Sequence, residues 1–132
     1  MQHNRPLCSR RTVFSFHGVW YKRCMDDLAS KKCTACEGGT PPLTEQEIKA
    51  LSARVGGWRV VDNKKIQRKF TFRDFKGAMA FVHSVADIAE TEGHHPDIHI
   101  FYTTVLIDLW THAVGGLSKN DFIVAAKINA LF

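Results

Sequence analysis

The chain alternates helix-start signals with β-rich segments, and this order constrains its fold more than any other feature. A Ser or Thr followed three residues later by an acidic residue forms a capping box, because the two side chains satisfy free amides of the first helical turn. Such boxes begin at Thr44, Thr71 and Ser118. We therefore predict three helices, of which the first ends at Gly56-Gly57, the second at Gly93 and the third near the C-terminus.

Apolar periodicity refines this assignment. The second helix carries apolar residues at helical spacing, which predicts one buried stripe made of Phe75, Ala78, Met79, Val82, Val85, Ala86 and Ala89. Residues 58–61 and 66–72 predict a hairpin around a turn at residues 62–64, with Ile66, Phe70 and Phe72 on the inner face. Residues 98–112 would form a strand of about 50 Å, too long for a small domain, so we predict a break near residues 102–104.

The resulting order of helix, two strands, helix, two strands and helix predicts an α+β fold. We expect a two-layer sandwich in which a four-stranded antiparallel sheet carries three helices on one face. A length of 132 residues suits one domain. No apolar run approaches the roughly 20 residues that span a bilayer, which excludes a membrane-embedded protein. Because the sheet has open edges, we predict a homo-oligomer, a dimer or tetramer, formed by edge or helix pairing.

The net charge of +5 lies entirely in residues 1–36, which hold seven Lys or Arg and two Asp. We predict that residues 1–36 are a basic, unstructured leader and that residues 37–132 form the single domain. The domain holds eleven residues of each charge sign. Direct binding to nucleic acid is not expected, since it relies on clustered cations. Residues 1–25 contain no acidic residue, which leaves three interpretations open. They form an unstructured arm, they are sequence upstream of a natural start at Met25, or they target the protein to an organelle. Of the possible locations, we favour the cytoplasm.

All four cysteines lie in this leader, at Cys8, Cys24, Cys33 and Cys36. Cys33 and Cys36 form a CxxC pair, but no second pair follows to complete a tetrahedral zinc site. Cys8 and Cys24 could complete an all-cysteine site only with irregular spacing. A thioredoxin-like pair requires a following helix, where this chain has a Gly- and Pro-rich turn. We interpret the pair as thiols in a flexible arm, in a reducing compartment.

A histidine cluster is the main candidate for chemistry. His94, His95 and Pro96 follow the helix-ending Gly93, and a hairpin would return His112 to the same end of the sheet. Imidazole has an unperturbed pKa of about 6.5 and can therefore take and give protons near neutrality. These residues favour a site with three titratable rings near one cleft.

The residues alone leave three interpretations of this cluster open: an acid–base site, a metal site and a structural cluster. Glu90 and Glu92 lie within one turn upstream and could orient the rings. His83, in the middle of the second helix, is interpreted as a partly buried structural residue. His99, on a strand, is interpreted as structural or exposed at the surface.

The pattern of these residues resembles the pterin-4a-carbinolamine dehydratase family. The resemblance runs from about Leu43 to the C-terminus and rests on Glu90-x-x-x-His94-His95-Pro96, Tyr102, Thr111-His112 and Gly116-Leu117-Ser118-x-x-Asp121. Gly57-Trp58, Phe70-x-Phe72-x-Asp74-Phe75 and the Cys-x-x-Cys-x-Gly-Gly segment are similar as well. The resemblance implies a lyase of tetrahydrobiopterin metabolism that dehydrates a 4a-hydroxytetrahydropterin to the quinonoid dihydropterin. It implies no cofactor and no metal, a pterin substrate, and functional coupling to a pterin-dependent aromatic amino acid hydroxylase.

The resemblance also implies roles for individual residues. His94, His95 and His112 would be catalytic, with His94 and His112 transferring protons and His95 holding the pterin. Substrate contacts would come from these histidines and from Glu90, Gly93, Trp110 and Thr111. Gly93 and Trp110 depart from the animal-type pattern, in which both positions are polar. Asp121 is also explained as a capping residue, and Trp58 as a core residue.

Two other functions compete with the dehydratase. Some members of the family act as dimerisation cofactors of transcription factors, but such a binding module has no use for three histidines. A small zinc hydrolase would need its ligands on one face, whereas His94 and His95, adjacent in extended chain, would point apart.

Overall fold

A computed structural model of the protein describes residues 28–35 and 39–131, and the helices and strands follow the predicted order. They are α1 (Glu45–Ser52), β1 (Arg59–Val61), β2 (Lys65–Thr71), α2 (Phe75–Glu92), β3 (Asp97–Phe101), β4 (Thr104–Leu109), a 3-10 turn (His112–Val114) and α3 (Lys119–Asn129). The strands form one antiparallel sheet in the order β1-β2-β4-β3. The predicted α+β fold is confirmed. Within the described residues, no helix has the length and apolarity to cross a membrane.

One face of the sheet forms the core together with the helices. Ile66 and Phe70 of β2 are buried and the intervening Lys69 is exposed, as the alternation predicted. Ile107 of β4 lies on the same face, and the core also takes Phe122 from α3. The predicted break in the last β-rich segment is confirmed as well, because β3 ends at Phe101 and β4 begins at Thr104.

The capping prediction is confirmed at two helices and wrong at the third. The amide of Glu47 donates to the Thr44 hydroxyl at the start of α1, and the amide of Ser118 donates to Asp121 at the start of α3. Thr71 does not cap α2. It is the last residue of β2, where it pairs with Thr104, and Asp74 caps the helix by accepting from the amide of Gly77. Strand pairing in the sheet thus overrides the helix-capping signal that begins at Thr71.

The buried stripe of α2 is rotated from the predicted one. Ala78, Val85 and Ala89 are buried as predicted, but Phe81 is the large core residue of the helix. The predicted members Phe75, Met79 and Ala86 are exposed, the Phe75 side chain at 48%. Phe75 instead stacks on Tyr102 of the β3–β4 turn, with ring centroids 6.4 Å apart. Trp58 belongs to the core, as predicted, and its Nε1 donates to Asn129 at 2.8 Å.

Residues 28–35, predicted from the sequence to belong to an unstructured leader, pack against α2 and α3. Leu28 is fully buried in the core, and Lys127 of α3 donates to the carbonyl of Ala29 at 2.8 Å. Cys33 is half-buried, so its interpretation as a thiol in a flexible arm is wrong. The folded part of the chain therefore begins before the predicted boundary at residue 37. The other three cysteines lie outside the described residues.

Deleting residues 1–25 is expected to leave the Tm and the fold unchanged, because this deletion removes none of the contacts made by residues 28–35. A deletion of residues 1–35 is the matched comparison. It removes the buried Leu28 side chain, whose burial stabilises the fold by about 1.5–3 kcal/mol, and it should lower the Tm. Thermal unfolding followed by circular dichroism measures both. A lower Tm in the shorter deletion would show that residues 1–25 also stabilise the domain.

The opposite face of the sheet carries a cluster of polar side chains around Asp108, the second-last residue of β4. Its carboxylate accepts from Gln67 at 2.7 Å and from Lys65 at 3.0 Å, and His99 lies 3.6 Å away. Burial opposes ionisation of this carboxyl. The hydrogen bonds from Gln67 and Lys65 and the charges of Lys65 and His99 outweigh burial and hold the pKa of Asp108 below its usual range.

Asp108→Asn is expected to weaken the pH dependence of stability on the acid side. A carboxyl whose pKa is lowered by folding stabilises the protein above the unfolded-state pKa of about 3.9. That stability is lost as the pH falls through the folded-state pKa. The wild type should therefore exceed the variant in unfolding free energy by more at pH 7 than at pH 3, measured with urea. Asp62→Asn, in an exposed turn, is the control; an equal difference at both pH values would contradict the prediction.

Candidate active site

The end of α2 turns the chain so that two adjacent histidines lie in different surroundings. Gly93 ends the helix with a φ of 67°, a conformation that favours glycine, and the amide of His94 still donates to the carbonyl of Ala89. Pro96 then leads into β3. The His94 side chain is only 11% exposed, whereas that of His95 is 59% exposed. The two adjacent imidazoles therefore differ in solvent exposure, and we expect them to have different roles.

His94 is held by a fully buried carboxylate at the start of α3. Its Nε2 lies 2.6 Å from Asp121 Oδ1. The other oxygen, Oδ2, accepts from the Thr111 hydroxyl at 2.8 Å and from the amide of Ser118 at 2.9 Å. A carboxylate is an acceptor, so His94 Nε2 carries the proton in this pair. In the neutral ring, Nδ1 then keeps a lone pair that can take a proton.

His112 lies in a short loop that a backbone bridge closes. The amide of Thr111 donates to the carbonyl of Gly116 at 2.8 Å, and the 3-10 turn fills the loop between them. The exposed His112 ring packs on Trp110 with centroids 3.8 Å apart and planes inclined by 32°. Trp110 is fixed in turn by Asp97, whose carboxylate accepts from the indole Nε1 at 3.1 Å. The predicted substrate contact Trp110 thus directly supports a predicted catalytic ring.

Glu90 and His95 form a second, exposed pair. His95 Nε2 lies 2.7 Å from Glu90 Oε2, and the Glu90 side chain is 78% exposed. Because water screens this pair, it orients the ring without fixing it as firmly as Asp121 fixes His94. Gly93, another predicted substrate contact, has an evident role as the cap of α2.

The sheet brings both parts of the predicted cluster to one end. Asp97, the first residue of β3, pairs with Asp108 near the end of β4, so the chain before β3 and the chain after β4 leave the sheet together. The chain of hydrogen bonds from His94 through Asp121 to Thr111 joins the two segments directly. The predicted convergence of His94, His95 and His112 on this end therefore has a structural basis in the hairpin.

The other histidines of the cluster lie elsewhere. His83 is exposed on α2, so its predicted partial burial is wrong, and His99 lies on the polar face of the sheet beside Asp108. Asp121 is a residue of the site that the sequence did not predict, because its place in a capping box already explains it. The signal that could have indicated a role in the site is that Asp121 is the last residue of the motif pattern that resembles the family. The part of the chain that the structure describes contains no group of three His, Cys, Asp or Glu arranged to hold a metal ion.

The fold and this end of the sheet define a small α+β domain with a histidine- and carboxylate-rich polar site. The pterin 4 alpha carbinolamine dehydratase family model matches residues 41–131, and the chain belongs to that family. The family resemblance stated from the sequence is therefore confirmed.

Relatives of known name agree with this membership. A Nitrosospira multiformis protein, provisionally named a pterin-4-alpha-carbinolamine dehydratase, is 48% identical over 108 residues, 82% of this chain and 95% of the relative. An Arabidopsis thaliana protein named pterin-4-alpha-carbinolamine dehydratase 2, mitochondrial, is 46% identical over 80% of this chain and 59% of its own length. A solved Brucella melitensis structure, described as a transcriptional coactivator/pterin dehydratase, is similar with a TM-score of 0.65 and 36% identity. It covers 68% of this chain and 97% of its own.

Proposed function

We propose that this protein is a hydro-lyase that converts a 4a-hydroxytetrahydropterin to the quinonoid dihydropterin and water. Membership of the family and the names of the relatives support this activity. The single observation that carries the proposal is the His94–Asp121 pair. It holds a nearly buried imidazole by one nitrogen, at 2.6 Å, and leaves the other nitrogen available for proton transfer.

The reaction needs one acid and one base. The acid protonates the C4a hydroxyl, the C4a–O bond breaks, and its electron pair leaves with water. The lone pair of N5 forms the C4a=N5 double bond, and the base removes the N5 proton. One proton is given and one is taken, so no net proton is consumed and no oxidant is involved.

We assign the base to His94 and the acid to His112. Asp121 holds the proton on His94 Nε2, so Nδ1 is the nitrogen that accepts from N5. The face of the Trp110 indole attracts a positive charge placed on it, which suits the proton-bearing ring of His112. His95, which is exposed and pairs with Glu90 through Nε2, is assigned to holding the pterin ring.

A stopped-flow assay on chelator-treated protein tests the proposed activity. Loss of water from 4a-hydroxytetrahydropterin should be faster with the protein than without it, and exhaustive chelation should leave the rate unchanged. A rate equal to the spontaneous rate would overturn the dehydratase proposal. Activity lost to the chelator and restored by zinc would overturn the assignment of metal-free catalysis.

His95→Ala is expected to raise KM more than it lowers kcat. A residue that contributes binding equally in the ground state and the transition state affects KM alone. His99→Ala is the matched control, because it removes an exposed imidazole from the polar face of the sheet. Steady-state kinetics with varied pterin concentration separate the two parameters. A fall in kcat with KM unchanged would move His95 from binding to proton transfer.

The cellular setting of the reaction is also part of this proposal. The product would serve tetrahydropterin recycling for a pterin-dependent aromatic amino acid hydroxylase, in the cytoplasm. A homodimer or homotetramer would cover the exposed Phe75, Met79, Phe101 and Tyr102. Sedimentation analysis would measure the oligomer.

Binding to a transcription factor is the alternative function. It is supported by the similar Brucella structure, which is described as a transcriptional coactivator/pterin dehydratase. Such binding would be independent of the histidines. Pull-down of a transcription factor by His94→Ala protein that has lost dehydratase activity would establish a separate role.

A further inference from the structure

We propose that residues 28–35, here called the strap, position the His94–Asp121 pair by holding the end of α2 against the start of α3. The strap lies before the family match, which begins at residue 41. This inference rests on the proposed function for its effect on catalysis, but the geometry it concerns can be measured without a substrate.

The first attachment of the strap is to the last residue of α2. The amide of Cys33 donates to Glu92 Oε1 at 2.9 Å, and Glu92 Oε2 lies 3.4 Å from the ammonium of Lys127 on α3. Burial opposes ionisation of this carboxyl. The hydrogen bond from Cys33 and the charge of Lys127 outweigh burial and keep the pKa of Glu92 below its usual range. Glu92, the last residue of α2, is therefore an ionised side chain that links the strap to α3. It lies two residues before His94.

The second attachment is to the residue that precedes Asp121. Asn120 is 5% exposed, and its side-chain amide bonds both backbone groups of one strap residue. Oδ1 accepts from the amide of Thr34 at 3.1 Å, and Nδ2 donates to the carbonyl of Thr34 at 2.5 Å. This reciprocal pair fixes the first turn of α3 in the same way that paired strands fix each other.

The Cys33 thiol adds a third contact at the same place. Its Sγ donates to the carbonyl of Asn120 at 3.7 Å. Burial, followed by the nearby charge of Glu92, raises the pKa of Cys33 to about 12, so the thiol keeps its proton at neutral pH. The half-buried side chain is therefore a hydrogen-bond donor and not a nucleophile, since the thiolate is the reactive form.

The strap attachments bracket the proposed catalytic pair. Glu92 lies two residues before His94 and Asn120 lies one residue before Asp121, so both partners of the 2.6 Å bond are tied to one short segment. A hydrogen bond of this length requires its two backbones to keep their separation closely. Misplacement by about 1 Å can cost about 100-fold in rate. Asn120 and Glu92 are accordingly positioning residues, which act through His94 and Asp121.

The test compares Thr34→Pro and Asn120→Ala with Thr34→Ala in the full chain. Proline removes the amide that donates to Asn120, whereas alanine at the same exposed position keeps both backbone groups. The first two variants should lower kcat by about 10- to 100-fold with little change in KM. Thr34→Ala should lose much less kcat than Thr34→Pro. If Asn120→Ala fails to fold, Thr34→Pro tests the same bond from outside the helices.

The readout that needs no substrate is the ring ¹⁵N spectrum of His94, assigned by its loss in His94→Gln. The wild type should show a single form protonated at Nε2, and the two strap variants should show a mixture of tautomers. An unchanged spectrum and kcat in folded Thr34→Pro protein would overturn the proposal. Equal losses in Thr34→Ala would do so too, since the backbone bond is intact there. If the wild type has no dehydratase activity, the proposed function fails while the spectrum still decides the role of the strap.

Discussion

Replacing His94 or His112 with Ala should each lower kcat by about 100- to 10,000-fold, the range of general acid–base catalysis. His94 presents one free nitrogen because Asp121 holds the other at 2.6 Å, and His112 lies on the indole of Trp110. The stopped-flow assay measures the loss. Because the carbinolamine also dehydrates spontaneously, the measured fall in rate will lie towards the 100-fold end of this range.

The double variant separates a shared step from two independent contributions. If both rings serve one concerted dehydration, removing the second costs little once the first is gone. His99→Ala controls for the general effect of losing an imidazole. Fully additive losses in kcat would contradict the shared role, and unchanged kcat in both single variants would remove these rings from the chemistry.

Local signals in the sequence predicted most of the fold, and they failed where tertiary contacts compete with them. The box at Thr71 has the right residues for a helix start, but Thr71 pairs with Thr104 in the sheet, which extends β2 to that residue. The periodicity of α2 fits more than one stripe, and only packing selects Phe81 over Phe75 for the core. Composition likewise could not reveal that Leu28, in a basic and cysteine-containing segment, is a core residue.

The sequence predicted which histidines belong to the candidate site, but it did not predict the hydrogen bonds that connect them to other residues. The spacing and the hairpin brought His94, His95 and His112 to one end of the sheet. The sequence could not show that Asp121 has two roles at once. Its capping role with Ser118 occupies one carboxylate oxygen, and the role with His94 uses the other. A residue that a local rule explains completely can still hold a second function, because a carboxylate has two oxygens to bond.

Asp121→Ala should strongly destabilise the fold, lowering the free energy of unfolding by about 3 kcal/mol or more. The carboxylate is fully buried, and its loss leaves the Ser118 amide and His94 Nε2 without their acceptor, while the Thr111 hydroxyl keeps only its bond to the Ser118 hydroxyl. Urea unfolding at pH 7 measures the loss. Asp87→Ala, which removes an exposed carboxylate from α2, is the control. A loss no larger than that of the control would show that the network does not stabilise the fold.

Asp121→Asn separates the catalytic part of this role from the structural part. The asparagine oxygen can still accept from Ser118 and Thr111, so most of the capping network survives. Its NH₂ group then faces His94 and forces Nε2 to become the acceptor, which moves the ring proton to Nδ1 and removes the proposed base. We expect a folded protein with kcat lowered by about 100- to 10,000-fold. Wild-type kcat in a folded Asp121→Asn protein would show that the tautomer of His94 is irrelevant to the reaction and that Asp121 only caps α3.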